Sequence, residues 1–419
     1  MKNEKLTVTK NNVIEGNFKK KSKSLWVLAF LILSTCFGEF LNLFNIKLSW
    51  IIAILLLITY LFKKNENEKI YDNTSKYFIA FMFFWVIYGL VQLAVLFLNN
   101  LNGVSYASYI SLLINVYIVI MICLNVRNVS DIIFLNYALV IGLVFNLMLS
   151  IWEINTGQHL IPLTSEVDLL FFRNQARTVF GNPNDLATFI NLGLIALIIN
   201  YLLTKKYLFF TTTILITSII ILININSRAN LLGLELLFVF WIVFGGLNLL
   251  YVKSKRIFYI VVTVIVTSLS IVIIVLLSKT NLEQIILKLS GNGDVTSDLF
   301  RLSLTKKSFV LLLNSMFLGV GPGQSVALLG INVHNFFLEI LSEYGIFIFL
   351  GLIIIFYSLL MAYKSRLFIR ISSFIMAFVP TFIVIGVSSS GANRIRATWI
   401  IITLLYLLVM KNQATNFNK

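Results

Sequence analysis

Charge is scarce in this chain. Asp, Glu, Lys and Arg together make up 12% of 419 residues, about half the share of a soluble domain. Hydrophobic residues fill 59% of it and the mean hydropathy is +0.93, so almost all of the mass is read as lying in a bilayer. Cysteine is nearly absent: Cys36 and Cys123 both sit in apolar runs, which excludes a disulfide framework and any zinc-ligand spacing. Acidic residues number 17 against 33 Lys and Arg. Only scattered aspartates (Asp294, Asp298) are available for a divalent ion, so no metal site and no cofactor are expected. The first apolar stretch has no small-residue cleavage site behind it and is read as a retained helix. The net charge of +16 does not indicate nucleic acid, because the basic residues fall in short clusters between apolar runs. That is the pattern membrane orientation requires.

What is present is a succession of apolar runs at 25–44, 48–62, 77–98, 104–124, 132–152, 186–203, 207–225, 229–250, 257–278, 336–362, 371–389 and 397–410. These predict an all-α polytopic membrane protein of about 12 transmembrane helices, with short amphipathic helices in its outer loops. The organisation expected is a basic cytoplasmic tail (1–24), a single transmembrane domain (25–410) and a second cytoplasmic tail (411–419). With both termini cytoplasmic, 22 of the 33 Lys and Arg fall inside, and reversal would break the positive-inside rule at nearly every loop. Two long loops, 153–185 and 279–335, then lie outside. Both histidines, His159 and His334, are on that face, as are Arg173, Arg177, Arg228, Arg301, Arg394 and Arg396. Positive charge kept against the bias calls for a role. No internal repeat and no pair of inverted halves is visible.

Several groups on that outer face could carry chemistry. His334 stands at the mouth of a very apolar helix, where the macrodipole disfavours imidazolium and leaves a neutral ring able to take a proton; the plainer reading is an interfacial cap. Arg228, between two apolar runs, either snorkels to headgroup phosphates or grips a substrate phosphate. Asp298 to Phe317 reads as an amphipathic helix capped by Ser297 or Asp298. It places Arg301, Thr305 and Ser308 on one face, either on the membrane surface or lining a cavity. Gly319-Val320-Gly321-Pro322-Gly323 is either a turn or a cradle for phosphate through its amides. It lacks the Lys-Ser/Thr ending of a nucleotide loop, so ATP is not expected. In Gly181-Asn182-Pro183-Asn184-Asp185, Asn184 or Asp185 is expected to cap a helix beginning near Leu186. Glu39 and Glu235 lie inside apolar runs, which makes them functional candidates without an assigned partner.

Together these stretches resemble the O-antigen ligase and polymerase family of bacterial envelope glycosyltransferases. The likeness rests on FGNPNDLA (180–187), Ser227-Arg228, Arg301 with its amphipathic helix, GVGPG (319–323), HNFFLEILSEYG (334–345) and SGANRIRATW (390–399). The first 150 residues match only in hydropathy, and the loop before His334 is small for the family. The resemblance implies a multi-pass enzyme of the bacterial cytoplasmic membrane with its site facing out. It implies a metal-independent, inverting transfer from a glycan on undecaprenyl pyrophosphate, with membrane lipids and other polysaccharide assembly proteins as further partners. His334 would be the base, Arg228 and Arg301 the pyrophosphate clamp, and Arg394 and Arg396 further substrate contacts. A polymerase of repeat units is the preferred activity, for capsule, exopolysaccharide, O-antigen or teichuronic acid. A ligase passing a finished glycan to lipid A core or another acceptor is the alternative within the family. A lipid-linked oligosaccharide flippase is the rival of another class, and it should carry charges along a central path, not gathered at one face.

Overall fold

The computed structural model describes residues 21–37, 42–43, 46–61, 75–98, 106–161, 175–253, 295–364, 369–388 and 395–414. Its elements are α1 (Lys23–Thr35), β1 (Asn42–Leu43), β2 (Ile46–Lys47), α2 (Leu48–Leu61), α3 (Lys76–Leu98), α4 (Tyr106–Asn125), α5 (Val129–Thr156), α6 (Pro183–Thr204), α7 (Leu208–Ile225), α8 (Arg228–Lys253), α9 (Val295–Asn314), α10 (Gln324–Leu329), α11 (Phe336–Leu360), α12 (Ile369–Ser388) and α13 (Arg396–Ala414). The fold is all-α, and eight of the described helices are long and apolar enough to cross a membrane. Every expected run falls on a helix except 257–278, which lies outside the described residues with the tails 1–20 and 415–419, Glu39, Arg173 and Arg394.

The first run is shorter than expected. α1 stops at Thr35, and β1 pairs antiparallel with β2, Leu43 opposite Ile46. Gly38 and Asn42 interrupt the apolar run there and disfavour a continued helix. α6 is the centre of the bundle. It is buried along nearly its whole length and packs against α5, α7, α8, α12 and α13. Its start differs from expectation: Pro183 occupies the first helical position, so Asn182 before it is the cap and accepts the Asn184 N–H at 2.8 Å. A proline there loses no helical bond and has its φ preset, which moves the helix start three residues earlier than Leu186.

Small residues set the helix spacing, as they do in lipid. A Cβ at Gly233 of α8 would lie 2.5 Å from Ile385 of α12, and one at Gly386 would lie 2.7 Å from Phe337 of α11. At the other end of the bundle the basic clusters gather. Lys21 pairs with Asp131 at 2.6 Å, Lys411 donates to the Arg127 carbonyl, and the Trp241 indole donates to the Arg370 carbonyl. Burial, and then the neighbouring Arg370 charge, push the Lys205 ammonium down from its ordinary pKa. Lys21, Arg127, Lys205, Arg370 and Lys411 are all residues the charge pattern assigns to the inner face.

Candidate active site

α11 is broken. Gly345 adopts φ +74° and ψ −172° inside it, leaving a two-turn piece, 336–343, ahead of the main helix. A break frees backbone groups that hydrocarbon cannot satisfy, so protein must supply partners. The glycine-rich turn does so. Val320 N–H donates to Ser342 O at 2.8 Å, Gly321 N–H to Glu343 O at 2.9 Å, and Ile346 N–H to Phe317 O at 2.9 Å. The approach demands glycine on both sides. A Cβ at Gly319 would sit 2.5 Å from Glu343 O, and one at Gly345 would sit 2.5 Å from Leu318 O. From α3, Gln92 Nε2 donates to the Leu318 and Glu343 carbonyls at 2.9 and 3.0 Å, and Tyr88 donates to Leu318 O at 2.7 Å.

The phosphate-cradle reading of the glycine turn is thereby overturned. Its amides are occupied: Gly319 by Ser315 Oγ, Val320 and Gly321 by the helix break, Gly323 by the Glu343 carboxylate at 2.8 Å. Pro322 has no N–H. The turn is a clasp on the broken helix.

His334 stands immediately before the cap of α11. Asn335 accepts the Phe337 and Leu338 amides at 3.0 and 3.1 Å, so the capping role belongs to Asn335 and not to the histidine. His334 is half-buried with φ +50°, in the left-handed region that histidine tolerates better than most residues.

Two other motifs are joined by a polar chain. Asn191 Nδ2 donates to Asn230 Oδ1 at 3.0 Å, Asn230 Nδ2 to Ser227 Oγ at 2.9 Å, and Ser227 Oγ to Asn184 Oδ1 at 3.0 Å. Asn184 is therefore a partner of Ser227 and not a cap. This chain fixes the start of α8, whose first residue is the exposed Arg228. A cation at a helix N-terminus is opposed by the macrodipole, and an anion bound there would relieve both.

The packing brings Arg228, His334 and Arg396 toward one end of the bundle. Ile385 and Gly386, adjacent in α12, touch Gly233 in the second turn of α8 and Phe337 in the first turn of α11. Arg228 lies five residues before Gly233, and His334 three before Phe337. Arg396 opens α13 at the same end, where Trp399 packs on Phe336 with centroids 5.7 Å apart. Arg396 is buried and donates from Nη1 to Ser49 Oγ at 2.7 Å. Arg301 occupies α9 one turn before Leu304. Leu304, Ser308 and Leu312 form the buried stripe of that helix, which packs on α11. α9 begins at Val295, so Ser297 and Asp298 lie within it and do not cap it.

Not every candidate belongs there. Glu235 is exposed on α8 and Arg177 is structural, its amide donating to Glu153 and its guanidinium to the Gly181 and Ile161 carbonyls. His159 Nδ1 is 3.7 Å from the same Glu153 carboxylate. The residue that sequence reasoning missed is Glu343, 2% exposed, which accepts from Gly323 N–H and Ser325 Oγ. The rule that flags an acidic residue in an apolar run applies to it as it does to Glu39 and Glu235. Among the described residues no group of three or more His, Cys, Asp or Glu is placed to hold a metal ion.

The O-antigen ligase family matches residues 213–353, a span that holds Arg228, Arg301, the glycine turn, His334 and Glu343. The chain is also similar to the teichuronic acid biosynthesis protein TuaE of Bacillus subtilis (strain 168). Identity is 23% over 384 residues, covering 83% of this chain and 74% of TuaE. No solved structure matches. FGNPNDLA and SGANRIRATW fall outside the matched family span.

Proposed function

Proceeding from its likeness to the O-antigen ligase and polymerase family, we propose that this protein polymerises undecaprenyl-pyrophosphate-linked repeat units at the outer face of the cytoplasmic membrane. The observation that supports the reading is the packing of Ile385 and Gly386 of α12 on Gly233 of α8 and Phe337 of α11, five and three residues beyond Arg228 and His334. TuaE, a protein of teichuronic acid biosynthesis by its name, supports a cell-envelope polysaccharide as the product class.

In this reading an acceptor sugar hydroxyl attacks the anomeric carbon of the donor glycan, and His334 takes the hydroxyl proton as the oxygen bonds. The anomeric carbon–oxygen bond to pyrophosphate breaks with inversion, and undecaprenyl pyrophosphate leaves carrying the new negative charge. Arg228, at an electropositive helix start, and Arg301, on a helix packed against α11, stabilise that charge. Arg394 and Arg396 act as further substrate contacts, with Arg396 steadied by Ser49.

The test is transfer by purified variants in a bilayer. His334→Ala lowers the rate about 10²–10⁴-fold, the usual worth of a general base. His334→Asn does the same while keeping the left-handed backbone, which separates loss of a base from loss of a turn residue. Arg228→Lys and Arg301→Lys are strongly impaired because a point charge lacks the bidentate fork. Wild-type activity persists in EDTA. Full transfer by either His334 variant, or arrest in EDTA with revival by magnesium, would sink this mechanism.

A further inference from the structure

Glu343 has no part in the mechanism above, yet it is the best-buried carboxylate near His334. It ends the two-turn piece 336–343 whose other end carries the Asn335 cap. That piece spans about 12 Å at 1.5 Å per residue. The preceding chain leaves its far end at the glycine turn and returns to its near end at His334. Three kinds of bond close this circuit. Backbone pairs hold Val320 and Gly321 to Ser342 and Glu343, the Glu343 carboxylate holds Gly323 N–H and Ser325 Oγ, and Asn335 caps the return. The ten residues 324–333 hang between the carboxylate and His334. Val326, Ala327, Leu328 and Gly330 are exposed, while Gln324 and Ser325 at its start and Val333 at its end are buried and α10 rests on α9 and α11.

We propose that Glu343 is a positioning residue of the transfer site, clamping the start of segment 324–333 to the helix break and so fixing where His334 stands. The proposal rests on the reading of His334 as base. A buried carboxyl suits this task because its two oxygens accept Gly323 N–H and the Ser325 hydroxyl at once, tying two points of the segment to the helix break. Its carboxylate ties the break to the turn from inside, where Gln92 ties the same two through their carbonyls from α3. An ångström of play at His334 is costly, since near-attack geometry is lost over that distance.

The experiment compares full-length Glu343→Ala, Glu343→Gln and Ser325→Ala proteins in nanodiscs by amide hydrogen exchange and by transfer kinetics. Glu343→Ala is expected to raise exchange across 323–333 about tenfold, the net worth of about one buried hydrogen bond. It should lower kcat about 10²-fold while donor KM stays within about threefold. Glu343→Gln, whose amide oxygen still accepts Gly323 N–H, restores both readouts most of the way. Ser325→Ala shows the same pattern at smaller size and serves if the alanine variant at 343 does not fold. Unchanged exchange in 323–333, a fall in kcat matched by a rise in donor KM, or faster exchange with undiminished kcat would each overturn the proposal. Normal transfer by His334→Ala would instead remove the base assignment, while the exchange data still show whether the clamp exists.

Discussion

Gly345 shows how much a single residue decides here. At φ +74° it holds a conformation L-residues rarely adopt, and its missing Cβ is what lets Leu318 O approach. Gly345→Ala therefore meets two costs, a backbone strain of about 1–2 kcal/mol and a clash with main chain that cannot rotate away. Thermal unfolding in detergent should show a clearly lower midpoint for Gly345→Ala than for Gly245→Ala, where nothing lies within 4 Å of an added Cβ. Equal midpoints would mean that the break is not a fixed feature. His334 also sits in the left-handed region, at φ +50°, but it has the side chain that the proposed chemistry requires. An off-helix backbone at the mouth of α11 places the imidazole beyond the cap and leaves the amides of the first turn to Asn335. Arg228 reverses the usual pairing of charge and helix end; with no ion pair among the described residues, its position makes sense with an anionic ligand.

Among elements, the apolar runs were legible because hydrocarbon imposes length and composition on a helix without regard to its neighbours. The same uniformity hid the break in α11, since Gly345 within an apolar run looks like any tolerated glycine. Its partners come from Phe317 to Gly321 and from Gln92, more than 220 residues from the bonded carbonyls, and no local pattern announces such pairing. For the same reason sequence alone leaves the glycine stretch open between a turn and a phosphate cradle; the helix break, which takes its amides, decides for the turn. The junction of α6 and α8 was half legible. Asn-Pro-Asn signalled a helix start, but the bond from Ser227 to Asn184 joins residues 43 apart. That junction can be tested through Asn230, fully buried and bonded to both Asn191 and Ser227. Asn230→Ala leaves both partners short of a bond and should cost about 0.6–2 kcal/mol, read as a lower unfolding midpoint. It should also weaken transfer by loosening Arg228. Asn224→Ala, which removes a single longer bond to Ala176, should lower the midpoint less; the reverse order would mean that this junction is not what holds α8.

At the scale of the molecule, the two ends of the bundle differ in the kind of charge they carry. Lys21, Arg127, Lys205, Arg370 and Lys411 lie toward one end, while Arg228, His334 and Arg396 lie toward the other. Buried charges among the described residues follow suit: Asp131 joins the first group, and Glu153, Arg177, Asp185, Glu343 and Arg396 lie toward the second. This supports a site at one membrane face over the central charged path a flippase needs. Because Cys36 and Cys123 are buried, introduced cysteines report orientation cleanly. Leu328→Cys should react with an impermeant external maleimide and Lys206→Cys should not; the opposite result would place the site inside the cell. The choice between polymerase and ligase also turns on what stands around His334. From residue 295 to His334 the protein consists of α9, packed on α11, the glycine clasp, and the short segment bearing α10. A polymerase brings two substrates on the same lipid carrier, each delivered to the site by the membrane, so a small external surface suffices. A ligase must also dock a chemically different acceptor and would need more protein there than this segment supplies. Cells lacking the protein should accordingly accumulate single, unpolymerised repeat units on undecaprenyl pyrophosphate, measurable by mass spectrometry of extracted lipid-linked glycans. Full-length lipid-linked chains in those cells, with none joined to a final acceptor, would instead assign the protein as the ligase.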